Sequence, residues 1–162
     1  MKLKIIFALF CMLTALIVRG EYLQEKFDKA AYYAAMDSGD IDAINKEISV
    51  VTSLSFTGKD GYEGALLMRK SGLLAHPPEK LRFFKIGRIK LEAALLNDKD
   101  NAEFHFLRFA IQEHAPNIVK YHNDLYMDKE FIKKTYKDLP PVVQRAIKDY
   151  TRNSKLLTAQ DL

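Results

Sequence analysis

The chain has 162 residues, 25 basic and 21 acidic side chains, one cysteine and no tryptophan. That length suits a single domain with one sizeable core, and a lone cysteine excludes an internal disulfide framework or a multi-thiolate metal site. The formal net charge of +4 is concentrated at the start of the chain and makes no case for a nucleic-acid partner.

Met1-Lys2-Leu3-Lys4 is a short basic region, and Ile5 to Val18 is an apolar run broken only by Thr14. A basic start, an apolar stretch and a small-residue exit are the pattern of a secretory signal peptide. As a helix the run would rise about 21 Å, short of the roughly 30 Å of a hydrocarbon core. Residues 1–20 are therefore read as a leader cleaved before Glu21, with Val18 and Gly20 at the minus-three and minus-one positions. The alternative is an uncleaved N-terminal membrane anchor, since Arg19 is an unusual neighbour for a cleavage site. Cys11 follows Leu9-Phe10 and does not match a lipoprotein box, so the expected mature chain has no thiol for catalysis, disulfides or metal. Lys2, Lys4 and Arg19 leave with the leader, bringing the net charge close to +1. No stable membrane span is expected afterwards.

Residues 21–162 are read as a single helical domain. Phe27, Ala30, Ala31, Ala34 and Ala35 place apolar groups on one face of a first helix, which Ser38-Gly39 ends. Asp40 is placed to cap a second, where Ile41, Ile44, Ile48 and Val51 form one stripe. Residues 52–61 read as a loop, and Tyr62 to Leu74 as a third helix; the stretch 47–56 alone has an ambiguous strand-like pattern. Pro77-Pro78 suits the first turn of a fourth helix, with Leu81, Phe84, Arg88, Leu91 and Leu95 along one face. Asn101 caps a fifth, in which Phe104, Leu107 and Ile111 are in register while Phe106, Phe109 and Ala110 fill the other side, marking it as the buried centre. A shorter helix from Pro116 to Leu125, a segment around Phe131, Ile132 and Tyr136, and a last helix after Pro140-Pro141 complete the count. The expected fold is all-α, about eight helices, with residues 152–162 as a loosely held tail.

Leu91, Ala94, Asp98, Asn101 and Ala102 resemble the junction between two tetratricopeptide-type repeats, with Gly87 where that family takes a small residue for close helix packing. Ala65, Met68 and Gly72 match the first helix of the same repeat. Lys99 stands where the family has proline, no second copy recurs at a period of about 34 residues, and the resemblance covers about a third of the chain. It implies antiparallel helix pairs. Taken whole, GALLMRKSG, FKIGRIKLEAAL, NAEFHFLRFAIQEHAP, LPPVVQRAI and DYTRNSKLL are similar to a family of short exported proteins from Bacteroidetes, which implies a periplasmic or otherwise exported location and carries no activity with it.

His76, His105, His114 and His122 show no i, i+4 pairing of the helical zinc type, and neither a nucleophile elbow nor a phosphate loop is present. Asn97 to Asn101 lacks the central glycine and terminal glutamate of a calcium loop. No catalytic residue, metal site or cofactor is assigned. The candidate binding residues are Arg108, Gln112, Glu113 and His114, where Arg108 and Gln112 share a helix face and could hold a carboxylate or peptide end; the competing reading pairs Arg108 and Glu113 with neighbouring helices. The expected function is an exported interaction module for another envelope protein. Two other readings fit the same sequence: an enzyme acting on cell-envelope material through Glu63, Glu92, Glu113 and His114, or a helical carrier of a small apolar ligand.

Overall fold

The structure, a computed structural model, describes residues 27–162. The leader read over 1–20, with Cys11 and the cleavage point before Glu21, lies outside the described residues. Among the described residues every regular element is helical, with seven α-helices and no strand. They are α1 (Lys29–Asp37), α2 (Ile41–Ser53), α3 (Lys59–Leu73), α4 (Pro77–Asn97), α5 (Ala102–His114), α6 (Leu125–Thr135) and α7 (Pro141–Tyr150).

Local chemistry sets the boundaries. Asp28 accepts hydrogen bonds from the amides of Ala30 (2.8 Å) and Ala31 (3.2 Å), Asp40 from that of Asp42 (2.9 Å), and Asn101 from that of Phe104 (3.1 Å). Each satisfies an amide that the helix itself leaves without a partner. Gly39, at φ 65, turns the chain between α1 and α2. Paired prolines open α4 and α7, where a missing N–H costs nothing.

α3 and α4 form an antiparallel pair in backbone contact. A Cβ on Gly64 would lie 2.6 Å from the Gly87 carbonyl oxygen and 2.7 Å from the Leu91 amide, and one on Gly87 would lie 2.5 Å from the Gly64 carbonyl. Lys90 bridges the same pair with bonds to Asp60 (2.7 Å) and Glu63 (3.2 Å).

α5 runs between two apolar clusters. Phe104, Leu107 and Ile111 face one with Tyr32, Ile44, Leu66 and Leu91; Phe106 and Phe109 face the other with Ile132, Val143, Ile147 and Leu157. Nearly all of α5 is buried, as its apolar circumference predicts.

Four details depart from the sequence reading. α1 buries Tyr32 and Ala35 and leaves Ala30, Ala31 and Ala34 exposed, because tyrosine removes far more apolar surface from water than alanine. α2 runs on to Ser53, where the hydroxyls of Thr52 and Ser53 bond back to carbonyls of the preceding turn, so the loop shrinks to 54–58. The helix expected over 116–125 is only a 3-10 turn, Asn117–Val119, stopped by Lys120 at φ 48; this leaves seven α-helices. The tail expected to be loose is fixed: Leu157 is fully buried and Lys129 donates to the Leu156 carbonyl (2.6 Å).

Candidate functional site

Between its two apolar faces α5 carries a third stripe, His105, Arg108 and Gln112, at i, i+3 and i+7. All three are buried, and α6 covers them. Arg108 forms a fork–fork pair with Asp128, Nε to Oδ2 and Nη2 to Oδ1, both 2.8 Å. Its remaining nitrogen, Nη1, reaches Glu92 on α4 (3.1 Å) and lies 3.8 Å from Asp124. Gln112 donates to the Asp124 carboxylate (2.9 Å) and accepts from the Asp124 amide (3.2 Å). His105 is held from both sides, Nδ1 against Asp128 (2.6 Å) and Nε2 against the Lys99 carbonyl (2.8 Å), while Phe131 stacks on its ring. Tyr121 donates to Glu92 at 2.5 Å and closes the cluster.

This is an ionic knot with its valences filled. Burial alone would lower the basicity of Arg108, but hydrogen bonds and charge from Asp128, with Glu92 and Asp124 behind, raise it. Burial likewise pushes His105 toward the neutral form, and Asp128 and the Lys99 carbonyl outweigh it, so its pKa is raised. Both ring nitrogens of His105 face acceptors of its own chain, so neither is presented to a substrate. All three nitrogens of Arg108 face carboxylates of its own chain, and α6 covers the helix face that Arg108 and Gln112 share.

Glu113 and His114 belong elsewhere. Glu113 projects from another face of α5 and gathers the end of the chain, accepting from the Tyr150 hydroxyl, the Ser154 hydroxyl (2.7 Å) and the amides of Lys155 (2.7 Å) and Leu156 (3.1 Å). Burial pushes its pKa up, but these four donors prevail and hold it below the ordinary glutamate range. His114 is exposed; its Nδ1 lies 3.1 Å from the Ala110 carbonyl and 3.3 Å from the Tyr150 hydroxyl. The four candidate residues thus divide into two unrelated clusters. Of the catalytic candidates, Glu63 binds Lys90, Glu92 binds Arg108 and Tyr121, and Glu113 binds the tail, while His114 shares only the Tyr150 hydroxyl with Glu113. Among the described residues no three His, Cys, Asp or Glu side chains are grouped to hold a metal.

Sequence reasoning paired Arg108 with Gln112 but missed His105, Asp124 and Asp128. The signal was present: His105 extends the stripe by one turn, and Asp124 and Asp128 are an i, i+4 acidic pair at the start of the next helix. Glu103 was also missed; it is buried at the start of α5 and accepts from Lys29 and from the Tyr33 hydroxyl (2.7 Å).

The other unusual feature is apolar and lies on the outside. The core face of α4 is Phe84, Gly87, Leu91, Ala94 and Leu95. Arg88 stacks over Tyr121 instead, and Leu81 is 47% exposed. On the opposite side Ile86, Ile89, Ala93 and Leu96 form a second stripe in solvent, with Ile89 and Leu96 each 70% exposed. Their spacing of three, four and three residues is that of an a/d seam.

Among the described residues these features define a seven-helix, all-α fold with an internally paired polar centre and one two-faced helix. Compared with protein-family models, curated proteins and solved structures, the chain matches none.

Proposed function

We infer that this protein is an exported interaction module, a rigid helical scaffold that presents the outer face of α4 to another protein of the cell envelope. The observation that carries the reading is the Ile86–Leu96 stripe, an apolar seam exposed along the longest helix of the described fold. Scattered exposed apolar residues are ordinary, whereas a row in register on one helix has the arrangement of a helix-pairing surface. The near-neutral charge expected after removal of residues 1–20 favours a protein partner over nucleic acid, and the signal-like N-terminus and the likeness to exported Bacteroidetes proteins favour the envelope. The tetratricopeptide-like pattern around Leu91 to Ala102 fits a scaffold of packed helix pairs. Among the described residues no helix is long and apolar enough to cross a membrane.

The test is photo-crosslinking in the producing cell, with a photoreactive residue replacing Ile89 or, as control, exposed Arg145 on α7. A discrete protein adduct at position 89, absent at 145, is the expected result. Equal, diffuse labelling at both positions would refute an interaction role for this face.

A further inference from the structure

The charges that flank the α4 seam identify its partner. Arg82 continues the line of the stripe at the N-terminal end, with Lys85 beside it; α4 ends at Asn97, and Asp98 and Asp100 follow in the turn beyond it, with Lys99 between them. All five are exposed, and Arg82, Lys85 and Asp100 make no ion pair among the described residues. The face is therefore basic at one end, apolar in the middle and acidic at the other. Such a face is complementary to itself when inverted.

Resting on the reading of the α4 face as an interaction surface, we propose that its occupant is a second copy of this chain, with the two α4 helices packed antiparallel about a two-fold axis that passes between Ile89 and Ala93 on the outer face. That register sets Ile86 against the partner's Leu96 and Ile89 against the partner's Ala93. It also brings Arg82 and Lys85, near the N-terminal end of each α4, toward the turn just beyond Asn97 that carries the partner's Asp98 and the partner's Asp100. A parallel pairing would oppose like charges at both ends, which is why the antiparallel arrangement is selected. The small Ala93 opposite Ile89 gives the knob a shallow hole to enter. An isologous contact of this kind closes on itself and leaves no free edge for further growth.

The size of the face sets the strength. α4 has 21 residues, a rod about 31 Å long and roughly 10 Å wide, so the helices alone cover a few hundred Å² per copy. That is the weak end of specific interfaces and predicts a reversible monomer–dimer equilibrium at micromolar or higher concentration.

The experiment is sedimentation velocity of the full chain over a hundredfold concentration range, with four variants. The wild type is expected to shift from monomer to dimer, and Ile89→Glu to remain monomeric at an unchanged melting temperature. Arg82→Glu and Asp100→Arg should each weaken dimerisation about tenfold or more, while the double variant, in which each new charge meets its reversed partner, should recover it. Association through the N-terminal residues would ignore the charge swap and so overturn the proposal. A wild type that stays monomeric throughout would also overturn it. If position 89 still crosslinked a different envelope protein, the interaction-module reading would stand without self-pairing. Binding of the monomer to phosphatidylglycerol vesicles, lost in Ile89→Glu, would assign the face to a lipid surface and refute both.

Discussion

The two central helices, α4 and α5, dispose of their side chains in opposite ways. α5 buries nearly all that it carries, including a charged stripe whose members find their complements on α4 and α6. α4 buries one stripe and leaves an equally apolar one in solvent. In α5, polar groups that looked available for a ligand are consumed by the fold. In α4, an apolar stripe is left in solvent. Unusual residues therefore indicate function only when the fold has not already used them, and by that criterion the outward face of α4 is the better candidate.

The contrast can be broken most severely where α4 meets α3. Gly64→Leu would force a side chain against the Gly87 carbonyl and Leu91 amide, main-chain atoms that cannot step aside. We expect a loss above about 4 kcal/mol, seen as failure to show a cooperative thermal transition by circular dichroism. Gly72→Ala is the control: nothing lies within 4 Å of a Cβ there, and the change should be neutral or stabilise α3 by up to about 1 kcal/mol. A well-folded Gly64→Leu protein would mean that α3 and α4 do not pack through their backbones.

Next in size is the charged stripe itself. Asp128 has no solvent exposure and neutralises both Arg108 and His105. Asp128→Ala leaves two buried cations short of their main counter-charge, and urea unfolding should report a loss of about 3–5 kcal/mol. The same change made in an exposed pair such as Asp149–Arg152 should cost less than about 1 kcal/mol. If the two losses were equal, α5 would not be the sealed helix described above.

A smaller effect tests the tail. Glu113→Gln keeps the shape but removes the charge that attracts four donors, at a cost of about 1–2 kcal/mol. The signature is local: hydrogen-exchange protection of the Lys155 and Leu156 amides should fall while that of α3 is kept. Because the pKa of Glu113 is depressed in the folded state, its contribution is complete above the ordinary value of 4.5 and fades as pH drops from there through the lowered value.

The fold was legible in the sequence wherever one residue decides one event. Asp40 and Asn101 cap as expected, and Phe104, Leu107 and Ile111 face the core as their spacing predicts. It was illegible where two segments decide together. Arg108 could be placed on a face but not given a partner, because Asp128 lies twenty residues away, beyond a turn whose length depends on the left-handed backbone at Lys120. Glu113 read as a ligand-binding group because three of its four donors come from a segment that, viewed alone, has little reason to be ordered. On α4 the face of Phe84, Leu91 and Leu95 is covered as its spacing predicts, and the contact of Gly64 with Gly87 fixes it by admitting the α3 backbone on that side; the second stripe, Ile86 to Leu96, which stays in solvent, was not singled out.

The smallest effect bears on whether the sealed stripe responds to pH. His105 lies between two acceptors, the Asp128 carboxylate and the Lys99 carbonyl, and is fully satisfied only when both ring nitrogens carry protons. Arg108 opposes that second proton and burial opposes it further, yet the net pKa is raised above 6.5. A group with a raised folded-state pKa stabilises fully below its unfolded value and loses that contribution as pH climbs through the folded one. The His105 contribution should therefore be flat below about pH 6 and decline above 6.5, with a slope no steeper than about 1.4 kcal/mol per pH unit for a single proton. His105→Gln, which can still donate to Asp128 but does not titrate, should lower stability near pH 6 and flatten this decline. Two-dimensional NMR would follow the His105 ring directly. A ring that titrates at or below 6.5 would show that Asp128 gives its charge to Arg108 alone, and that the α5 stripe is a two-membered pair with a neutral histidine beside it.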